Sequence, residues 1–171
     1  MWYLVDDRNI LRAVSERWDN AARACGAPGL ISRAVLNLSV MDFIAGLDTQ
    51  SFMNSSFYTA RVEGRLLSWP YRCDSPTEWR CFVMDIAPVG NGALRVTHSQ
   101  MVRKPHLPVP EAAPDAVVCS QCLDVEQGGG WHPHRIPRGG YARGQRYSVC
   151  PACRQRALRV LHGESPPASV A

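Results

Sequence analysis

The chain of 171 residues holds seven cysteines, and four of them fall into two C-x-x-C pairs, Cys119-Ser-Gln-Cys122 and Cys150-Pro-Ala-Cys153. Two thiolates spaced two residues apart reach one ion from a single tight turn. Two such turns supply the closed tetrahedral sulfur set that zinc takes in structural sites. With cysteine at all four positions no coordination place stays open for water, which argues against catalytic zinc. Other chemistries use the same pattern: a disulfide in an oxidising compartment, a redox dithiol, or an iron-sulfur cluster. His132 and His134 lie between the pairs and are alternative ligands in place of one cysteine. The paired spacing favours Cys119, Cys122, Cys150 and Cys153 around a structural Zn2+.

The stretch that must position these thiols is poor in aliphatic residues and rich in glycine, with Gly128, Gly129, Gly130, Gly139, Gly140 and Gly144 between the pairs. A unit of roughly 40 residues with so little to bury does not fold alone. Structural zinc, contributing on the order of 10 kcal/mol or more, supplies the deficit. After Pro151 the chain reads as a helix to His162, with Leu158 and Leu161 on one side and Gly163 as its stop. The remaining cysteines, Cys25, Cys73 and Cys81, have no motif spacing and read as core or half-buried thiols.

Met1-Trp-Tyr-Leu-Val-Asp-Asp-Arg8 shows neither a basic n-region nor a long apolar run, so no signal peptide is legible. No stretch approaches about 18 consecutive apolar residues, so no ordinary membrane span is expected. The expected compartment is the cytoplasm, where thiols stay reduced and available to metal. Of the net charge of +4, residues 104–171 contribute most, with 8 Lys and Arg against 5 Asp and Glu.

Lys104-Pro-His-Leu-Pro-Val-Pro-Glu-Ala-Ala-Pro-Asp-Ala116 carries four prolines and reads as an extended, semi-rigid linker. It divides the chain into a larger unit, residues 1–103, and a cysteine module, residues 117–162. Residues 163–171 read as a disordered tail.

Within residues 1–103 the pattern is α+β. Trp2 to Val5 and Ile10 to Val14 flank the turn-forming Asp6-Asp7-Arg8-Asn9 and predict a hairpin. Ser15 is a candidate cap for a helix with Trp18, Ala21, Ala22 and Cys25 on one face, ending at Gly26. A short helical piece follows around Ser39 to Ala45. Asp48 is a candidate cap for a helix with Phe52, Ser55, Thr59 and Val62 on its face and Gly64 as its stop. The period then changes to alternation. Leu66 to Cys73, broken by Pro70, reads as an edge or bulged strand. Arg80 to Ile86 places Phe82, Met84 and Ile86 on one face, and Gly90-Asn91-Gly92 turns the chain into Ala93 to His98. The connections are too short for crossovers, so these last three strands are antiparallel.

A hairpin, a helical middle and a three-stranded meander over about 100 residues resemble the layout of a PAS domain. Val40-Met-Asp-Phe-Ile44 resembles the short helical segment common in bacterial members. Tyr71-Arg-Cys-Asp-Ser-Pro76 with Trp79-Arg80 looks like a motif of one PAS-like group. This resemblance covers residues 1–103 and implies a five-stranded antiparallel sheet with helices on one face. Val118-Cys-Ser-Gln-Cys122, Gly130-Trp131 and Tyr147-Ser-Val-Cys-Pro-Ala-Cys153 resemble a zinc-ribbon-like tail found after PAS or receiver domains in bacterial signalling proteins. The chain departs from that pattern in lacking a His-Gly between the serine and the third cysteine.

The resemblance implies a non-enzymatic bacterial signalling or regulatory protein, a PAS sensor or adaptor. It would act through a signalling or regulatory partner, or dimerise through its N-terminal elements and sheet. The ligand of a PAS cavity is not specified. His98 shares strand parity with Leu94 and Val96, and could meet haem or another ligand from the covered side or simply pack there. Trp69, Tyr71, Trp79 and Phe82 are either pocket or sheet-packing residues. The cysteine motif of flavin-attaching relatives is not visible around Cys73 or Cys81.

The alternative function is transcription regulation or nucleic-acid binding by the module. Arg135, Arg138, Arg143, Arg146, Arg154, Arg156 and Arg159 are interleaved there with Trp131, His134, Tyr141 and Tyr147. For catalysis, Ser15, Ser99, His98 and Asp85 form no recognisable nucleophile motif.

Overall fold

The structure is a computed structural model and describes residues 1–75, 77–106, 109–137 and 144–164. Arg138, Tyr141, Arg143, Gly139, Gly140, Pro76 and the last seven residues of the expected tail lie outside the described residues.

The larger unit is an α+β arrangement. Strands β1 (Trp2–Val5), β2 (Leu11–Val14), β3 (Leu67–Arg72), β4 (Glu78–Gly90) and β5 (Ala93–Pro105) form one antiparallel sheet in the order β2-β1-β5-β4-β3. The hairpin turn between β1 and β2 is held by Asp6, whose Oδ1 accepts from the backbone N–H groups of Arg8 and Ile10, both at 2.9 Å. Pro70 lies on β3, an edge strand, where its missing N–H costs no ladder bond on the open side. Gly90, Asn91 and Gly92 all have positive φ and make the β4–β5 turn. Both β4 and β5 run well past the spans expected from alternation, with a bulge at Cys81/Phe82.

Tyr3, Val5, Leu67, Trp69, Met84, Ile86, Leu94 and Val96 alternate along their strands onto one face and form the core. Helices cover that face: α1 (Trp18–Ala24), α2 (Ser32–Val35), a 3-10 turn over Val40–Phe43, and α3 (Leu47–Glu63). Ser39 caps the 3-10 turn by accepting from Met41 N. The candidate cap at Ser15 takes another role: its side chain accepts from Trp2 N, and α1 begins three residues later behind Arg17.

The expected face of α3 is displaced. Thr49, Met53, Ser56, Phe57 and Ala60 are the buried stripe, whereas Ser55 and Val62 are exposed. Ser56 tolerates burial because its hydroxyl donates to Phe52 O at 2.7 Å. Gly64, in the left-handed region, ends the helix as expected. Of the three other cysteines Cys81 is buried, but Cys25 and Cys73 are exposed.

The cysteine module is a second, four-stranded sheet in the order β8-β7-β6-β9, from β6 (Val117–Cys119), β7 (Val125–Gln127), β8 (Gly130–His132) and β9 (Arg146–Ser148). β6 and β9 are parallel, which brings the strand ends leading to both cysteine pairs side by side. α4 (Pro151–Leu161) follows, with Pro151 at its first position. Its buried residues are Cys153, Ala157 and Val160; Leu161 packs against the core of the first sheet, while Leu158, expected on the same side, faces solvent.

Val160 belongs to the same buried cluster as the core of the five-stranded sheet. Arg65 donates to the carbonyls of Val160 and Leu161 at 3.1 and 2.6 Å, a cation on the last turn of α4 where the helix dipole favours it. The segment between the two sheets is likewise tied down. Lys104 and Pro105 continue β5, and Ala112 N and Pro110 O bond to the backbone of Arg135. No described helix is long and apolar enough to cross a membrane.

Candidate functional site

The parallel β6–β9 pair and the start of α4 bring the four predicted ligands together. One sulfur each from Cys119, Cys122, Cys150 and Cys153 lies within 4.8 Å of the others. Cys119, Cys150 and Cys153 are buried, and Cys122 is half-buried. Local backbone helps to arrange them. Cys150 caps α4, its Sγ accepting from Cys153 N at 3.4 Å, and Cys119 Sγ accepts from Cys150 N at 3.3 Å.

The donor set can be tested against a tetrahedral ion. With Zn–S bonds of about 2.3 Å, ligand sulfurs stand about 3.8 Å apart. Cys122 Sγ and Cys150 Sγ are 3.7 Å apart. The thiols shift one another's acidity. Hydrogen bonds from the Cys122 and Cys153 thiols, helped by the backbone N–H groups of Cys122 and Cys150, pull the Cys119 thiol down. The Cys122 and Cys153 thiols are pushed up, chiefly by their bonding to that same sulfur. Holding all four as thiolates in so small a volume takes a cation among them.

Neither alternative histidine joins this cluster. His132 is exposed. His134 is buried elsewhere, beside Arg72, Asp74 and His106, and burial with the Arg72 charge holds its pKa down at about 4. Arg72 is a residue that spacing did not single out. Its guanidinium pairs with the fully buried Asp74 side chain and donates to Cys122 O at 2.8 Å, and its backbone N donates to Gln121 O at 2.7 Å. Asp74 also accepts from Arg80 N at 3.0 Å. Both Arg72 and Asp74 stand in the Tyr71–Pro76 motif, which was the available signal.

A pocket of about 260 Å3 adjoins the centre between the sheet and the helices. Tyr3, Met53, Tyr71, Met84 and His98 line it from the sheet and α3. His98 therefore does face the covered side. Its Nδ1 shares a 2.9 Å hydrogen bond with the Tyr71 hydroxyl. Burial, and secondarily the N-terminal ammonium, holds the His98 pKa down at about 4, and burial pushes the Tyr71 hydroxyl up. Both are neutral near pH 7. Of the other aromatics, Trp69 packs in the core, Phe82 stacks on Tyr71, and Trp79 lies under Arg72 and Lys104 on the outside.

Several module arginines are engaged within the chain. Arg135 pairs with Glu111 at 3.0 Å, Arg154 with Asp48 at 3.6 Å, and Arg146 donates to Asp115 O. Asp48, expected as a helix cap, instead sits in the first turn of α3 and accepts from the Ser148 hydroxyl at 2.6 Å. Gly46 takes the capping position with positive φ. Compared with models of known protein families the chain matches none, and no curated protein matches it.

Proposed function

We propose that this protein is a non-enzymatic sensor or adaptor of the PAS type, clasped by a structural zinc ion on Cys119, Cys122, Cys150 and Cys153. The hairpin, helical middle and three-strand meander, with β5 returning beside β1 and the helices on one face, support the PAS reading. The observation that carries the clasp is the four-sulfur cluster with its 3.7 Å Cys122–Cys150 separation. The clasp fixes the strand ends of the second sheet and seats α4 on the first, so its role is to hold shape.

In this reading the signal passes to a separate signalling or regulatory protein. Metal analysis should give one zinc per chain, and affinity capture from the native cell should enrich a signalling protein. A chain with far less than one zinc that keeps its fold, or one that stays monomeric and captures no such protein, overturns the reading. The nucleic-acid alternative has weaker support, because Arg135, Arg146 and Arg154 already have partners within the chain. It predicts salt-sensitive retention on DNA or RNA that falls when Arg154 and Arg156 are neutralised.

A further inference from the structure

The two residues between the first pair of ligands, Ser120 and Gln121, line the pocket that holds Tyr71 and His98. Two hydrogen bonds press this turn against the larger unit. Thr49 on α3 donates its hydroxyl to Ser120 Oγ at 2.9 Å, and Arg72 N on β3 donates to Gln121 O at 2.7 Å. The ligands Cys119 and Cys122 flank the turn on either side, so whatever fixes those sulfurs fixes this part of the pocket.

The lining also restricts what enters. Tyr3, Val40, Phe43, Ile44, Met53 and Met84 are apolar or aromatic, and no Asp, Glu, Lys or Arg is among the lining residues. The Tyr71–His98 pair carries no charge near pH 7, because burial disfavours both the imidazolium and the phenolate. With His98 Nδ1 bonded to Tyr71, its Nε2 has no hydrogen-bond partner among the described residues. Seating an ion against such a lining is unfavourable, whereas one neutral hydrogen-bonding group can be satisfied there. The volume of about 260 Å3 suits a molecule of one or two rings.

We propose that this pocket binds a small, uncharged, largely apolar molecule bearing one hydrogen-bonding group, and that the metal-held Ser120-Gln121 turn is its wall, so metal and ligand binding are coupled. This rests on the sensor reading above and adds to it the class of ligand and its regulation by the metal. Thermodynamic linkage makes the coupling reciprocal: the ligand tightens metal binding by the factor with which the metal tightens the ligand.

The test uses the zinc-loaded full chain with methyl-labelled methionine and three probes: indole, benzyl alcohol and benzamide. Met53 and Met84 line the pocket, and Met101, exposed on β5, is an internal control. At least one probe should shift the Met53 and Met84 methyl signals saturably and leave Met101 in place. Removing zinc by chelation, or Gln121→Ala with zinc retained, should weaken that probe about tenfold, as loss of one good contact does. Tyr71→Phe should weaken it similarly without changing zinc content. Should chelation collapse the methyl spectrum, Gln121→Ala and the effect of saturating probe on zinc retention against a chelator decide.

No shift at Met53 and Met84 with any probe overturns the proposal. So does equal affinity in zinc-loaded protein, in chelated protein that keeps its fold, and in Gln121→Ala. A protein that carries zinc and captures its signalling partner, yet fails these tests, refutes this inference alone.

Discussion

Arg72 Nη1 donates to the carbonyl oxygen of Cys122 at 2.8 Å, joining the sheet-edge strand β3 to the second cysteine of the cluster. The same guanidinium neutralises Asp74, whose side chain is wholly buried, and lies 3.6 Å from Asp124. One side chain thus serves the turn after β3, the buried carboxylate and the module at once.

Removing it should therefore do more than break a contact. Arg72→Ala leaves the Asp74 carboxylate buried without its cation, at a cost of about 3–5 kcal/mol. Arg72→Lys should restore only part, since a lysine cannot reproduce the forked geometry. Urea denaturation measures both, and a loss below about 1 kcal/mol for the alanine variant would contradict the role given to the pair.

Metal removal is the second prediction. Cys150→Ser should lower zinc content well below one per chain yet leave α4 capped, because a serine hydroxyl there accepts from Cys153 N at least as well as the Cys150 Sγ does. Elemental analysis after exhaustive dialysis reads the first effect. Far-ultraviolet circular dichroism reads the second, and an unchanged zinc content would remove Cys150 from the ligand set.

Gly46 lies where α3 meets the module. Its φ is +86°, and a Cβ there would stand 2.8 Å from the backbone oxygen of Tyr147 on the strand leading to Cys150. Gly46→Ala should cost about 1–3 kcal/mol from the backbone conformation alone. It should also make zinc easier to extract, because the strand must shift. A chelator time course that matches the unsubstituted protein would disprove the second effect.

Stability should also fall with acid in a defined window. His98 and His134 have folded pKa values of about 4, below the ordinary value of 6.5. Between about pH 6.5 and 4 the unfolded chain binds more protons than the folded one, so stability is full above the upper limit and is lost as pH drops. His98→Gln should flatten the dependence by one proton. Denaturant midpoints at pH 7 and pH 4.5 compare the two proteins, and an unchanged slope in the variant would rule out His98 as a contributor.

Val160 carries the last prediction. It is 3% exposed in the core of the five-stranded sheet, although it comes from the module's helix. Val160→Ala should cost about 2 kcal/mol. Melting should remain a single transition for both sheets. Two separate transitions in the unsubstituted protein would show that the shared cluster does not couple them.

Some of this was legible along the chain. The C-x-x-C spacing pointed to the four thiols that converge, and alternation from Arg80 to Ile86 marked the faces of Met84 and Ile86, because both signals are local. The α3 stripe was not readable. That helix mixes serine, threonine and asparagine with its apolar residues, so Phe52, Ser55, Thr59 and Val62 offered as good a pattern as the face that is buried. Asp48 looked like a cap, but Ser148 and Arg154 draw its carboxylate from about a hundred residues away. The place of Ser120 and Gln121 against the pocket depends on how one sheet seats on the other, which no spacing within the pair encodes.

The seat of Val160 also has a consequence for synthesis. β1 pairs with β5, some ninety residues later, and the core those strands enclose is filled from a helix that begins only at Pro151. A nascent chain that has emerged through β5 holds every strand of the first sheet yet lacks a piece of its interior. Such a chain exposes apolar surface until α4 leaves the ribosome, and that interval is when it most needs a chaperone.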